Sequence, residues 1–180
     1  MKILLITGSA RPNSTGKTVV NLVAEQLEKY RQVYSEVADL AKAALPFYDN
    51  TASPSSDQFK INHQSVQTWS NQVKSADAVI FIMPEYNHSI TAIQKNAIDW
   101  LYEEWRDKPS AVVAYGYYGG KHAVDAFKAI NDTIKTKLTD PIAMLTIGQQ
   151  LGADGSIINR AAADREVSAV IKALIDQLDE

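Results

Sequence analysis

Residues 78–89 read Ala78-Val79-Ile80-Phe81-Ile82-Met83-Pro84-Glu85-Tyr86-Asn87-His88-Ser89. Six apolar residues run without a polar interruption and give way at once to a turn. A strand with one wet face alternates apolar and polar side chains. An unbroken run belongs to a strand covered on both faces, which is the habit of parallel sheets sandwiched between helices. Behind the turn, Thr91 and Gln94 have the spacing of a capping box, so a helix is predicted to start there and to carry Lys95-Asn96-Ala97-Ile98-Asp99-Trp100-Leu101.

The same unit recurs on both sides of this stretch. Residues 3–7, 111–115 and 143–147 are further apolar runs, and residues 33–38, mixed in polarity, suit a strand nearer a sheet edge. Helical spacing fills the gaps: Val19, Val23, Leu27 and Tyr30; Val124, Phe127, Ile130, Ile134 and Leu138; Val167, Val170, Ile171, Leu174, Ile175 and Leu178. Strand and helix alternating five times predict a parallel sheet with right-handed crossovers. The expected architecture is a flavodoxin-like, three-layer α/β sandwich whose five-stranded parallel sheet has the order 2-1-3-4-5. Residues 39–73 are its irregular part. No repeat or linker interrupts the chain, so residues 1–180 are expected to form a single domain.

Composition narrows the chemistry. Of 180 residues, 46% are hydrophobic and 22% charged, as in an ordinary globular chain. A net charge of −3 offers no basic footprint for nucleic acid or an anionic membrane. There is no cysteine, so disulfides, thiolate nucleophiles and cysteine-ligated metals are excluded, and any redox chemistry must ride on a bound cofactor. No metal-ligand set is read from the sequence, and His88, a lone histidine in a loop, reads as solvated. The apolar run at residues 3–6 is too short for a secretion signal, and nothing approaches a membrane-spanning length, so a cytoplasmic protein is expected.

Three loops carry the candidate site. The first, Gly8-Ser9-Ala10-Arg11-Pro12-Asn13-Ser14-Thr15-Gly16-Lys17-Thr18, joins the first strand to a helix. Such a turn aims backbone N–H groups and the positive helix end at one spot, and hydroxyls and an arginine add donors suited to a phosphate. It fails as a nucleotide-triphosphate loop, because Arg11 stands where glycine is needed, and as a dinucleotide fingerprint, because Ala10 and Asn13 do. A plain helix-capping turn with Ser14 as N-cap is the alternative. The second loop is Pro84 to Ser89. The third, Tyr115-Gly116-Tyr117-Tyr118-Gly119-Gly120, has three glycines in five residues, which suits close backbone approach or positive φ. Tyr117 and Tyr118 either line a pocket or cover the core.

The Gly-Ser-x-Arg-x-x-Ser turn, the Pro-Glu-Tyr-Asn turn followed by Lys-Asn-Ala-Ile-Asp-Trp, and the Tyr-Gly-x-x-Gly-Gly turn together resemble the NAD(P)H-dependent FMN reductase family, with quinone and azo-compound reductases as the nearest-looking relatives. Thr91, Ala92 and Gln94 depart from the family's proline, glycine and leucine. The resemblance implies bound FMN and NADPH or NADH as electron donor. Ser9, Arg11, Ser14, Thr15, Gly16 and Lys17 would hold the phosphate. Pro84, Glu85, Tyr86 and Asn87 would run along the flavin ring, with Tyr115, Gly116, Gly119 and Gly120 beside it. No catalytic side chain is implied, because the flavin carries the chemistry. Small electron acceptors (quinones, azo compounds or free flavin) are the implied partners, together with a second or further copies in a homodimer or homotetramer. The aromatic cluster Trp100, Tyr102 and Trp105 suits either a subunit interface or buried core. A flavodoxin-type electron carrier, or a flavin-dependent sensor, is the competing reading of the same loops.

Overall fold

The computed structural model describes residues 1–12 and 15–180. In chain order its elements are β1 (Lys2–Thr7), α1 (Thr15–Leu27), β2 (Tyr34–Asp39), α2 (Gln64–Ser75), β3 (Ala78–Pro84), α3 (Ala92–Asp99), β4 (Pro109–Gly116), α4 (Lys121–Ile134), β5 (Lys137–Leu138), β6 (Ala143–Thr146) and α5 (Arg160–Asp179). The strands form one parallel sheet in the order β2-β1-β3-β4-β5, with β6 also pairing with β4.

The unbroken apolar runs of β1, β3 and β4 are explained by two cores on opposite faces of this sheet. On β3, Val79, Phe81 and Met83 point into a core shared with Val66, Trp69, Ile98, Trp105 and Phe127, while Ala78, Ile80 and Ile82 face Val19, Val23, Val167, Ile171 and Leu174. Helices α2, α3 and α4 therefore cover one face and α1 and α5 the other, giving the expected three-layer α/β sandwich. Each fully buried aliphatic side chain contributes about 1.5–3 kcal/mol.

Two expectations are corrected. The fifth sheet position is divided between β5, beside the start of β4 at Pro109 and Ser110, and β6, beside its end from Val113 to Gly116. The helix predicted to reach Leu138 stops at Ile134, where Lys135 turns left-handed (φ 59°) and donates its N–H back to Asn131. Leu138 continues the helical phase by accident and belongs to a strand.

Two of the three cluster aromatics are core, while Tyr102 stays partly exposed beneath Arg106. Trp100 and Trp105 are fully buried, which removes them from any subunit interface. Their indole N–H groups donate to the carbonyls of Pro46 (2.8 Å) and Ile98 (3.1 Å). The irregular segment after β2 is thereby laid over Trp100, with Tyr48 tilted against its ring at 4.7 Å. No helix among the described residues is long and apolar enough to cross a membrane.

Candidate active site

Because β1, β3 and β4 are neighbours in register, with Thr7 beside Ile82 and Pro84 beside Tyr115, the loops that follow them share one rim of the sheet. This is the end of an open α/β sheet where ligands bind. A cavity of about 120 Å³ opens there between Ser9, Arg11, Thr15, Pro84, Glu85, Tyr86, Tyr115, Gly116, Tyr117 and Ile147. A second of about 390 Å³ adjoins it, sharing Ser9 and Arg11 and adding Lys17, Asp39 and Lys42.

Each wall has a local cause. In the first loop, Gly8 donates to the carbonyl of Ile82 at 3.0 Å and its own carbonyl accepts the Thr91 hydroxyl at 2.6 Å. Gly8 is so tied down on both sides that Ser9 is left facing Tyr86, their hydroxyls 3.3 Å apart. Arg11 and Lys17 are exposed, and among the described residues neither forms an ion pair. Helix α1 begins at Thr15, so the N–H groups of its first turn, which have no partner within the helix, lie at the same rim. Ser14, the expected N-cap, lies outside the described residues.

The second loop is a tight hairpin. Tyr86 and Ser89 exchange both backbone hydrogen bonds at 3.0 Å, and the two residues between them, Asn87 and His88, both have positive φ (49° and 60°). That is the two-residue turn of the type I′ kind, in which asparagine is favoured and glycine is the cheap second residue. Thr91 caps α3 as expected, accepting from the Gln94 N–H. In the third loop, Glu85 donates to the carbonyl of Tyr115 and so joins the second and third loops through the backbone. Gly120 (φ 80°) is the N-cap of α4, and a Cβ there would stand 2.6 Å from that of Ala114.

The residues singled out from sequence divide in two. Ser9, Arg11, Thr15, Pro84, Glu85, Tyr86, Tyr115 and Gly116 line one cavity. Lys17 lines the adjoining one. Gly16 is buried within α1, Asn87 sits exposed at the hairpin tip, Gly119 packs on Met144 and Thr146 of β6, and Gly120 packs on β4. Ile147 was not foreseen; it completes the wall as the last residue of the fourth apolar run. Burial pushes the Tyr115 phenol well above its usual range, against weaker opposing effects of Ser9 and Arg11. Tyr115 is therefore a hydrogen-bond donor throughout the physiological range.

The donor chemistry fits FMN: a guanidinium, hydroxyls and a helix N-terminus suit a phosphate, and Pro84, Tyr86, Tyr115, Gly116 and Ile147 suit a flat ring. The family model described as NADPH-dependent FMN reductase matches residues 1–149. The chain belongs to that family. As a member it is an oxidoreductase that uses FMN and a reduced nicotinamide nucleotide. This flavin reductase is 30% identical over 146 residues to an NAD(P)H-dependent FMN reductase of Schizosaccharomyces pombe, an alignment covering 81% of this chain and 73% of the other. It is also 30% identical over 153 residues to the FMN reductase LOT6 of Saccharomyces cerevisiae, covering 80% of each. Among solved structures it is similar to FerB, a flavoenzyme NAD(P)H:acceptor oxidoreductase from Paracoccus denitrificans, with 26% identity and a TM-score of 0.76 over 99% of this chain and 97% of FerB.

Proposed function

We propose that this flavin reductase passes electrons from NAD(P)H to small planar acceptors, quinones first among them, at the rim formed by the loops after β1, β3 and β4. The observation that carries the proposal is the convergence of Arg11, Ser9, Tyr86 and Tyr115 on one cavity. Bound FMN supplies the two-electron chemistry. The protein's part is to hold, orient and shield. Arg11, Ser9, Thr15 and the start of α1 would bind the phosphate through charge-assisted hydrogen bonds. Pro84, Tyr86, Tyr115 and Gly116 would line the ring, with the Asn87 amide at its polar edge. The exposed Tyr117 stands where an incoming acceptor would enter. A quinone reductase of Pseudomonas putida, 29% identical over 68% of this chain, supports quinone as the acceptor class.

No side chain at the rim need move a proton. Tyr115, a buried protonated phenol, and the paired hydroxyls of Ser9 and Tyr86 would serve as hydrogen-bond partners. The test is direct. Purified protein is expected to be yellow and to oxidise NADH or NADPH when a quinone or an azo dye is supplied. A colourless protein unable to take up FMN would refute the reading. Flavin that NAD(P)H cannot bleach anaerobically, yet a partner reductase can, would make the chain an electron carrier instead.

A further inference from the structure

A second cluster lies beside this rim; it shares Glu85 with the cavity wall, but its two histidines, His88 and His122, are not used by the reading above. Three side chains that are 37 residues apart at the extremes, Glu85, His88 and His122, bring their ligating atoms together. His122 Nδ1 stands 3.0 Å from Glu85 Oε1 and 3.0 Å from His88 Nδ1, and the third side of the triangle, His88 Nδ1 to Glu85 Oε1, is 3.6 Å.

Hydrogen bonding serves this arrangement thinly. A neutral imidazole carries one N–H, and a carboxylate carries none. If His122 Nδ1 holds the proton, that one hydrogen is shared between Glu85 Oε1 and His88 Nδ1, two acceptors 3.6 Å apart. If it lacks the proton, its lone pair faces the lone pairs of Glu85. In the better tautomer a single proton thus serves both 3.0 Å contacts, whereas an electron-poor centre between the three atoms would meet a lone pair from each.

The geometry suits one. A point about 1 Å out of the plane of the three atoms is about 2.1 Å from each, the bond length of nitrogen and carboxylate ligands to zinc. The carboxylate is supported as metal-binding carboxylates are, since the backbone N–H of His122 donates to its other oxygen, Oε2, at 3.0 Å. Glu85 has a side chain only 8% exposed, while His88 and His122 leave the outer side open to water. His88 is held at φ 60°, a conformation that costs about 1 kcal/mol more for histidine than for glycine. The turn keeps an imidazole where a hydrogen would be cheaper.

We propose that Glu85, His88 and His122 form a three-ligand site for a divalent transition ion of the zinc class, joining the β3–α3 hairpin to the first turn of α4. Each ring would ligate through Nδ1 and keep its proton on Nε2. The remaining coordination positions would hold water. Two imidazoles and one carboxylate favour Zn²⁺ and its first-row neighbours over Ca²⁺ or Mg²⁺, which prefer oxygen-only shells.

The experiment uses the full FMN-loaded chain, purified without a histidine tag, and titrates it with ZnCl₂ by calorimetry and with CoCl₂ by visible absorption. One ion per chain is expected, with a rise of several degrees in thermal midpoint when the metal is in large excess over its dissociation constant. His88→Gly and His122→Gln are each expected to weaken binding by at least about 100-fold and to abolish the metal-dependent rise. Glycine suits the left-handed position, so His88→Gly without metal should unfold at or above the wild-type midpoint, which separates loss of a ligand from loss of the fold. Wild-type protein that shows no saturable binding at millimolar metal would overturn the site. So would His88→Gly protein that binds as tightly as wild type.

Discussion

Gly120 tests whether the third loop is shaped by steric necessity. Two separate penalties meet at this residue. Its φ of 80° is a conformation that an L side chain enters at a cost of roughly 1–2 kcal/mol, and a Cβ placed on it would sit 2.6 Å from Ala114 Cβ and 2.8 Å from the Tyr115 nitrogen. Neither neighbour can retreat, because both belong to β4 in the middle of the sheet. Forcing a methyl into such a place adds about 1–3 kcal/mol. Gly148 supplies the control: its φ is 93°, but a Cβ there would meet nothing within 4 Å.

Alanine also restricts the unfolded chain, which returns about 0.4–1 kcal/mol in both variants. Gly148→Ala should therefore destabilise by about 1 kcal/mol and Gly120→Ala by about 2–4 kcal/mol. For a chain of this length each kcal/mol moves the thermal midpoint by about 2–4 °C. The expected shifts are a few degrees for Gly148→Ala and roughly 5–15 °C for Gly120→Ala, followed by circular dichroism in thermal and urea unfolding. Equal shifts in the two variants would refute the argument, since they would show that the contact with β4 relaxes at no cost.

Three further outcomes follow from the same reasoning. Gln94 is fully buried, its Oε1 has no partner among the described residues, and its Nε2 reaches only the Ile82 carbonyl at 3.5 Å, which Gly8 already satisfies. Gln94→Leu should stabilise the protein by about 1 kcal/mol in urea unfolding; a loss of stability would show that Oε1 is bonded. Glu104 has its carboxyl lowered from the ordinary 4.5, because hydrogen bonds from Ser70 and its own backbone and the charge of Lys74 outweigh the effect of burial, which acts upward and is the largest single influence. A group lowered in the folded state stabilises fully above its unfolded value and loses that contribution as pH falls through the folded one. Wild-type stability should therefore drop more steeply than that of Glu104→Gln between pH of about 5 and about 3, as urea midpoints would show. Arg11→Ala should loosen FMN by roughly 10- to 100-fold in fluorescence titration, the worth of one charged hydrogen bond; unchanged affinity would remove Arg11 from the phosphate site.

The sheet could be read from sequence because burial on both faces writes itself as continuous apolar runs, as in β1, β3 and β4; β6 shows the same run although Met144 leaves one of its faces open. β5 could not, since Lys137 and Leu138 are too few residues to show any period. The end of α4 was hidden for a related reason: no glycine or proline marks Lys135, and Leu138 keeps the helical phase of Ile134. Eight of the ten residues lining the cavity came from three local motifs, each spanning the end of a strand and the turn after it. The Glu85, His88 and His122 cluster had no local signature. Its members lie 34 residues apart across the histidines, and only the parallel pairing of β3 with β4 brings the loops together. The indole partners of Trp100 and Trp105 were equally hidden, because a backbone carbonyl carries no mark of its future donor.

The second loop emerges as the part that organises the other two. Toward the first loop it sends the Thr91 hydroxyl to the Gly8 carbonyl and the Tyr86 hydroxyl to Ser9. Toward the third it sends the Glu85 N–H to Tyr115 and the Glu85 carboxylate to His122 at the start of α4. Thr91 stands where the family has proline, and its hydroxyl does two things that proline cannot: it caps α3 and bonds across to the neighbouring loop. The departure from the family pattern thus replaces a stiff ring by a side-chain bridge, and the rim stays fixed by different means. A rim whose walls are bonded to one another before any ligand arrives loses little conformational freedom on binding. What selectivity the site has must then come from its open side, where Tyr117 stands exposed at the mouth of the cavity.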